Sequence, residues 1–541
     1  MRGERGVLDL LRGRIVLRGV EIEGLSLLLE RTADRRRNWR THGDPAGPSA
    51  PQAPQPPDRG GLPLLLDARL TGSEITYRSA SGATQRVKLA NVSLAAEGPD
   101  AALMLRAEGS YNEAPIALQG RLGTPEQLRA GRDPFPFSLE AESGESRLRL
   151  GGSATDPLNF DRVNGRLSLS SARAGAALLR LGLGGAELDG TLELAGTFSR
   201  EGDAWRLTRV EGDIAGAPFT APLLAMTEGA NGAPDEVEAE AAFSRLDMDR
   251  LIGAQNAEPD GARGEADVPL RVPAAPDPLL RARLSVQELV WARLPLGELS
   301  LALQVAPGRI AAEQVSLAAF GGRLTGDVQV EAREGGGAIG VQARLENADL
   351  TALQRGFGLR PLPLRGRFEA RIAATAEGPT LNRAVRGAHV SAVGAMRGGS
   401  VARQVIELGS TDLQALFRRA EGNTSLTCLL AVADIRAGRG QAAPVRLRAA
   451  TGTIAGEASF DLNRQTMDLV IGSQPETTGF LALDIPVRVH GSFADPDIRP
   501  AAWTREGRAR MAAPDRVAPL PAPLREFAQA NPCYRRAPAG R

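Results

Sequence analysis

The 541-residue chain is long enough for two or three ordinary domains, or for one elongated repetitive one. A hydrophobic content of 42% excludes a disordered chain, while 4% aromatic residues leave Leu, Val and Ala to build the interior, which suits a long thin sheet better than a compact globule. The net charge of +1 gives neither a nucleic-acid partner nor a strongly anionic surface any footprint.

Met1-Arg2-Gly3-Glu4-Arg5-Gly6 lacks the apolar core of a signal peptide, and no segment reaches the roughly 20 apolar residues that span a bilayer. Taken alone, those two features argue for the cytoplasm. Residues 1–42 open a β region, with one apolar and one charged face in Arg14–Arg18 and Val20–Glu23. Residues 43–61, with Pro45, Pro48, Pro51, Pro54, Pro56 and Pro57, read as a loop without a core. Over 62–227 the alternation returns in Leu103, Leu105 and Ala107, then in Ile116, Leu118, Gly120 and Leu122, with a short helix at Ala174–Leu183. The acidic, Gly-containing stretch 228–240 reads as a flexible loop. Over 241–500 short helices are expected at Leu246–Ala254, Leu350–Gly356 and Thr411–Ala420. Ala458, Phe460 and Leu462, then Asn463–Thr466, then Met467, Leu469 and Ile471, form a hairpin with one apolar face. The Pro/Arg/Ala-rich tail 501–541 carries one more short helix at Leu524–Ala530.

A strand, a Leu-containing helix and a Gly-led strand recur from Leu167 to Leu194 and from Ala343 to Ala370, with a degraded copy from Phe243 to about Val272. A Gly-Ser-x-x-Asp-Pro turn recurs at Gly152–Pro157 and Gly491–Pro496. Diverged repetition of this kind, punctuated by 62 Gly and 37 Pro, predicts an all-β, mainly antiparallel, elongated curved sheet or groove with few short helices.

No constellation carries chemistry. His42, His389 and His490 are isolated, no nucleophile elbow is present, and Lys88, the single lysine, sits in no phosphate loop. Gly335–Gly337 and Gly182–Gly185 read as turns. Catalytic, cofactor and metal sites are therefore all expected to be absent, and the chain reads as a non-enzyme. Arg35-Arg36-Arg37 is either a phosphate or headgroup contact or, the favoured reading, a solvated loop. Cys428 and Cys533 permit one disulfide in an oxidising compartment or stand as two unpaired thiols.

Leu27-Leu28-Leu29-Glu30-Arg31, running through an Asp34-containing loop to Asn38-Trp39, resembles the AsmA family, with the usual loop glycine replaced by one of Arg35–Arg37. The likeness continues through Tyr77, Glu108–Tyr111, Pro134–Pro136, Gly152–Pro157 and Phe320–Leu324 to the closing Ile485–Pro496. It implies a periplasmic body, anchored in the inner membrane in its full-length form by a helix that precedes the Leu-Glu-Arg strand and is lacking from this sequence. It also implies kinship with bridge-like lipid-transfer proteins, whose curved sheets present an apolar concave face, and hence a part in phospholipid transport and outer-membrane assembly.

The candidates for an apolar lining are Leu103, Leu105, Ile116, Leu118, Phe460, Leu462, Leu469 and Ile471, with phospholipid or other lipid tails as the partner. Alternation alone equally describes a β-sandwich whose apolar faces pack on one another. The functional alternative is a scaffold or regulator of outer-membrane protein assembly without lipid transport.

Overall fold

The computed structural model describes residues 2–5, 15–39, 59, 61–131, 133–180, 188–251, 267–358, 363–403, 422–450, 452–473, 486–493, 495–500 and 520–534. The expected helix at 411–420, His42, Gly182–Gly185, nearly all of the 43–61 loop and most of the 501–541 tail lie outside these residues. The chain divides into two compact units: Met1–Pro259 with Pro276–Arg293, and Asp260–Ala275 with Leu294–Arg541. Among the described residues strand outweighs helix by 66% to 9%, in a mostly antiparallel, curved and open arrangement.

In the first unit an antiparallel ladder runs strand by strand from Asp67–Arg78 to Glu236–Asp247. Among the described residues four pairings are parallel: Val16–Glu23 with Leu64–Leu65 and with Asp67–Arg78, Ser26–Glu30 with Asp67–Arg78, and Glu236–Asp247 with Leu279–Trp291. The second unit repeats the antiparallel ladder from Leu299–Ala306 to Pro496–Pro500. Bulges interrupt both, for example opposite Ala195/Thr197 and between Ala312 and Val315, where Arg209 and Gln314 take φ of 51° and 54°. An inserted residue raises local twist and bends the strand, which is how a long sheet acquires curvature.

Leu350–Gly356 is helical over the expected bounds, capped by Asp349, which accepts from the Ala352 amide at 2.8 Å. Ala174–Arg180 and Ala522–Gln529 are helices close to their expected limits. The helix expected over Leu246–Ala254 begins only at Met248, because Leu246 is still inside the preceding strand, and its residues after 251 lie outside the described ones. Two helices had no apolar periodicity to reveal them. Pro125–Ala130 is nucleated by a capping box between Thr124 and Gln127, and Leu381–Arg386 joins two antiparallel strands.

Of the acidic stretch, 228–235 is a connecting loop and the remainder is strand. Glu236, Glu238 and Glu240 are one face of the Glu236–Asp247 strand and alternate with Val237, Ala239 and Ala241. The degraded repeat does not close at Val272 either, since its return strand is Leu279–Trp291, in parallel.

Candidate functional site: a bent apolar face

Because strand side chains alternate, ladder register decides which residues share a face. In the first unit, Val92, Ala107, Leu118, Ala141, Leu148, Leu169, Leu194, Gly212, Phe219, Phe243 and Val286 align across successive strands. At ~4.8 Å per strand this row is about 48 Å long. A parallel row holds Leu105, Gly120, Leu139, Leu150 and Leu167. Phe137 and Phe198 lie on the same face with ring centroids 6.3 Å apart, as do Phe219 and Phe243 at 5.6 Å. In the second unit Ala343, Ile372, Ala392, Ala433, Ala442, Ala458, Leu469 and Val489 form the matching row.

The opposite face is charged, with cross-strand pairs such as Arg149–Glu140 at 3.0 Å, Arg147–Glu142 at 2.6 Å and Arg283–Glu240 at 2.8 Å. It holds open depressions of about 850 Å³ beside Arg149 and Ser168 and about 1170 Å³ beside Gln441 and Ser459. Ion pairs stand in the walls of both, Arg149–Glu140 in one and Arg439–Asp461 in the other. His389 and His490 also lie on this face, beside Asp434 and Asp497. Among the described residues no three His, Cys, Asp or Glu side chains converge as a metal site.

Along the middle of the apolar face, Leu105, Leu118, Leu139, Leu148, Leu150, Leu167, Leu169 and Leu194 are half-buried. A sandwich would bury them fully. Coverage comes at the margins. Leu103, Phe135, Ala154 and Val163 are buried along one edge, while Ala174, Ala177 and Leu192 form a buried cluster along the other.

Of the eight lining residues expected from sequence, Leu105, Ile116 and Leu118 lie on the apolar face of the first unit and Phe460, Leu469 and Ile471 on that of the second, all half-buried. Leu103 shares the first unit's face but is 3% exposed, sealed into the margin. Leu462 lines neither. The strand ends at Asp461, the Leu462 amide turns to donate to the Gly438 carbonyl at 2.8 Å, and the side chain is 48% exposed.

The direction of bending is set by a feature that the sequence did not disclose. The loop after Ser26–Glu30 reaches the far end of its own sheet. Arg31 makes a bidentate pair with Asp235, both contacts 2.8 Å, and donates to the Gly229 carbonyl at 2.8 Å. Arg35 pairs with Asp277 at 2.9 Å, and Arg37 with Asp203 at 2.8 Å and with Glu228. Arg31, Arg35 and Arg37 are buried, so neither the solvated loop nor a headgroup contact describes them, and only Arg36 points to solvent, at 80% exposure. Arg35 holds φ 72°, a conformation that favours glycine, and its two ion pairs offset that strain. Asn38 fixes the loop by accepting from the Glu30 amide and donating to the Leu28 carbonyl, both at 2.9 Å.

Two residues of the apolar face belong to this clasp. Trp205 donates to Glu228 at 2.8 Å under the Arg200 guanidinium, 4.5 Å above its ring. Tyr77 stacks edge-on with Trp39 at 5.9 Å. Burial pushes its hydroxyl above the ordinary range, with Glu228 and Asp235 adding to the shift and Arg31 and Arg37 opposing it. Eight ladder steps separate the strands of Tyr77 and Trp205, about 38 Å along the sheet. Both nonetheless meet one cluster of charges, so this unit bends towards its apolar face.

In the second unit the charged face is covered locally instead. Ala522–Gln529 lays Leu524 and Ala528 over Val393, Cys428, Leu430 and Val432. A disulfide joins Cys428 to Cys533.

A 71-residue stretch, 13% of the chain, is 34% identical to the AsmA family protein YhjG of Escherichia coli (strain K12), and the chain spans about a tenth (10%) of that relative's length. No family model and no solved structure matches the chain. The stretch is AsmA-like. Among the described residues no helix is long and apolar enough to cross a membrane.

Proposed function

We propose that the chain is a non-enzymatic cell-envelope protein that shields lipid acyl chains from water along the apolar face of its sheet, in phospholipid transport and outer-membrane assembly. The observation that carries this reading is the row of half-buried leucines on a face bent inward by the clasp. Exposing a lipid tail to water costs about 0.8 kcal/mol per methylene, on the order of 10 kcal/mol for a whole tail. A face about 48 Å long exceeds the ~15 Å depth of one leaflet's hydrocarbon, so a tail can lie on it anywhere and pass along it without a single tight site. The partial likeness to an AsmA family protein supports the envelope setting, and we place the protein in the periplasm in association with the inner membrane.

The test is capture of a fluorescent phospholipid by the purified chain. Glu at Leu105, Leu118, Leu150 and Leu167 together should abolish capture, whereas Glu at Arg106, Gln119 and Arg166 on the opposite face should leave it intact, with circular dichroism confirming the fold. Equal capture by both sets would replace this reading with the scaffold or regulator of outer-membrane protein assembly.

A further inference from the structure

Between the strands Ser146–Asp156 and Asp161–Ser171 the chain turns at Pro157-Leu158-Asn159-Phe160. Leu158 is 56% exposed and Phe160 61%. Arg59, which pairs with Asp156 at the foot of the turn, brings Leu62, 37% exposed, to the same margin.

Phe160 sits at φ 56°, a region that suits glycine or asparagine and strains a bulky side chain, while the asparagine of the turn stands one position earlier. The turn is also held firmly from below. Asn159 donates to Asp156 at 2.7 Å, the Gly202 amide donates to Asp161 at 2.7 Å, and Arg200 donates to the Phe160 carbonyl at 2.8 Å. A rigid foot and a strained, outward aromatic ring together mark a displayed tip, since backbone economy favours another residue there.

We propose that this tip seats the protein on the interface of a phospholipid bilayer, alongside the covered margin of the apolar face. The proposal rests on the lipid-carrying reading and names the part of the chain that meets the bilayer. Inward from the tip the same face continues through Ala154 and Val163 to the Gly152/Gly165 pair and the rings of Phe137 and Phe198. The occupant follows from area and charge. Leu158, Phe160 and Leu62 cover a few hundred Å² at most, below the ~800 Å² per partner of a stable protein complex. The four turn residues carry no charge that could recruit a protein. Interfacial insertion needs only a few apolar side chains at the headgroup boundary.

The test is co-sedimentation of the full chain with phosphatidylethanolamine/phosphatidylglycerol vesicles. The L158S/F160G variant should bind about tenfold less, while its thermal midpoint holds or rises because glycine relieves the strained φ. Phe160→Trp should keep wild-type binding, and capture of dispersed fluorescent lipid should not change in either variant. Wild-type binding by L158S/F160G, or no vesicle binding by the wild type, overturns the proposal. So does a loss of dispersed-lipid capture in that variant, since the tip would then belong to the lining itself. Should the four-Glu variant keep capturing lipid while L158S/F160G still leaves the vesicles, the carrying reading falls and the docking tip stands.

Discussion

Breaking one pair of the clasp gives the sharpest test of how the first unit is bent. In Asp235→Asn the carboxylate that receives both Arg31 contacts and one from Arg35 at 3.4 Å becomes an amide, taking from an Arg31 guanidinium that is 4% exposed its bonded counter-charge. Removing one partner of a buried pair costs about 3–5 kcal/mol, and the 18% exposure of Asp235 places this case near 3 kcal/mol. At about 2–4 °C per kcal/mol for a unit of this size, the thermal midpoint should fall by about 6–12 °C. Replacing both partners with apolar residues, R31M/D235L, should recover at least ~2 kcal/mol of the summed single losses, because no orphaned charge remains. Circular-dichroism melts of the four species close the cycle. Burial pushes the Asp235 carboxyl up, but hydrogen bonds from Arg31 and the Gly229 amide, with the charges of Arg31 and Arg35, bring it below the ordinary carboxylate range. Its contribution is therefore fully present above the unfolded value near ~3.9 and is lost as pH falls through the lower folded value. The wild type should lose this stability below about pH 4, and D235N should lose less over the same window. A midpoint shift under ~2 °C, or singles that simply add, would refute the clasp.

Two further outcomes test the ladder and the covered face. The Cys428–Cys533 bridge closes a loop of 105 residues, so C428S/C533S should cost the second unit about 2–5 kcal/mol and speed proteolysis of Ala522–Gln529, read by melts and timed digestion. A Cβ on Gly152 would lie 2.1 Å from the Asn164 carbonyl oxygen and 2.6 Å from Gly165 Cα, whereas one on Gly151 meets only the Phe137 oxygen at 3.9 Å. Gly152→Ala should thus cost about 1–3 kcal/mol in denaturant melts while Gly151→Ala stays near neutral, and equal costs would contradict the register.

The ladder was legible in the sequence because a period of two is local. Leu103, Leu105 and Ala107 face Leu122, Gly120 and Leu118 as their alternation requires, and the hairpin at 458–471 pairs Ala458 with Leu469. The helix Leu350–Gly356 was legible for the same reason. The clasp was not, because its partners lie 204, 242 and 166 residues from Arg31, Arg35 and Arg37, and nothing local separates an arginine bound for a distant carboxylate from one bound for water. The acidic run before Ala241 misled in the opposite sense. Glu228 and Asp235 serve the clasp while Glu236, Glu238 and Glu240 are the wet side of a strand, and composition cannot divide them. Leu462 failed by one residue, since parity says which way a side chain would point but not where the strand stops.

The half-burial of the apolar face is a property of that face and not of loose packing throughout. Asn423–Arg436 supplies the comparison within one strand. On the side under Ala522–Gln529, Cys428, Leu430 and Val432 are 0–2% exposed, because a helix was laid over them and a disulfide fastens it. On the other side Leu429, Ala431 and Ala433, their covalent neighbours, stay half-buried. The fold thus seals the first side under the helix, and the second where Leu429 packs on the buried cluster of Leu350, Met396, Val401 and Leu426, while Ala431 and Ala433 beyond it stay half-buried. The side left open is also the one built from Ala and Val across the second unit, where small side chains leave room above the sheet. Uncovered apolar surface of this extent is a liability in water unless something apolar visits it. A face bent inward in the first unit suits the transient acyl chain proposed above.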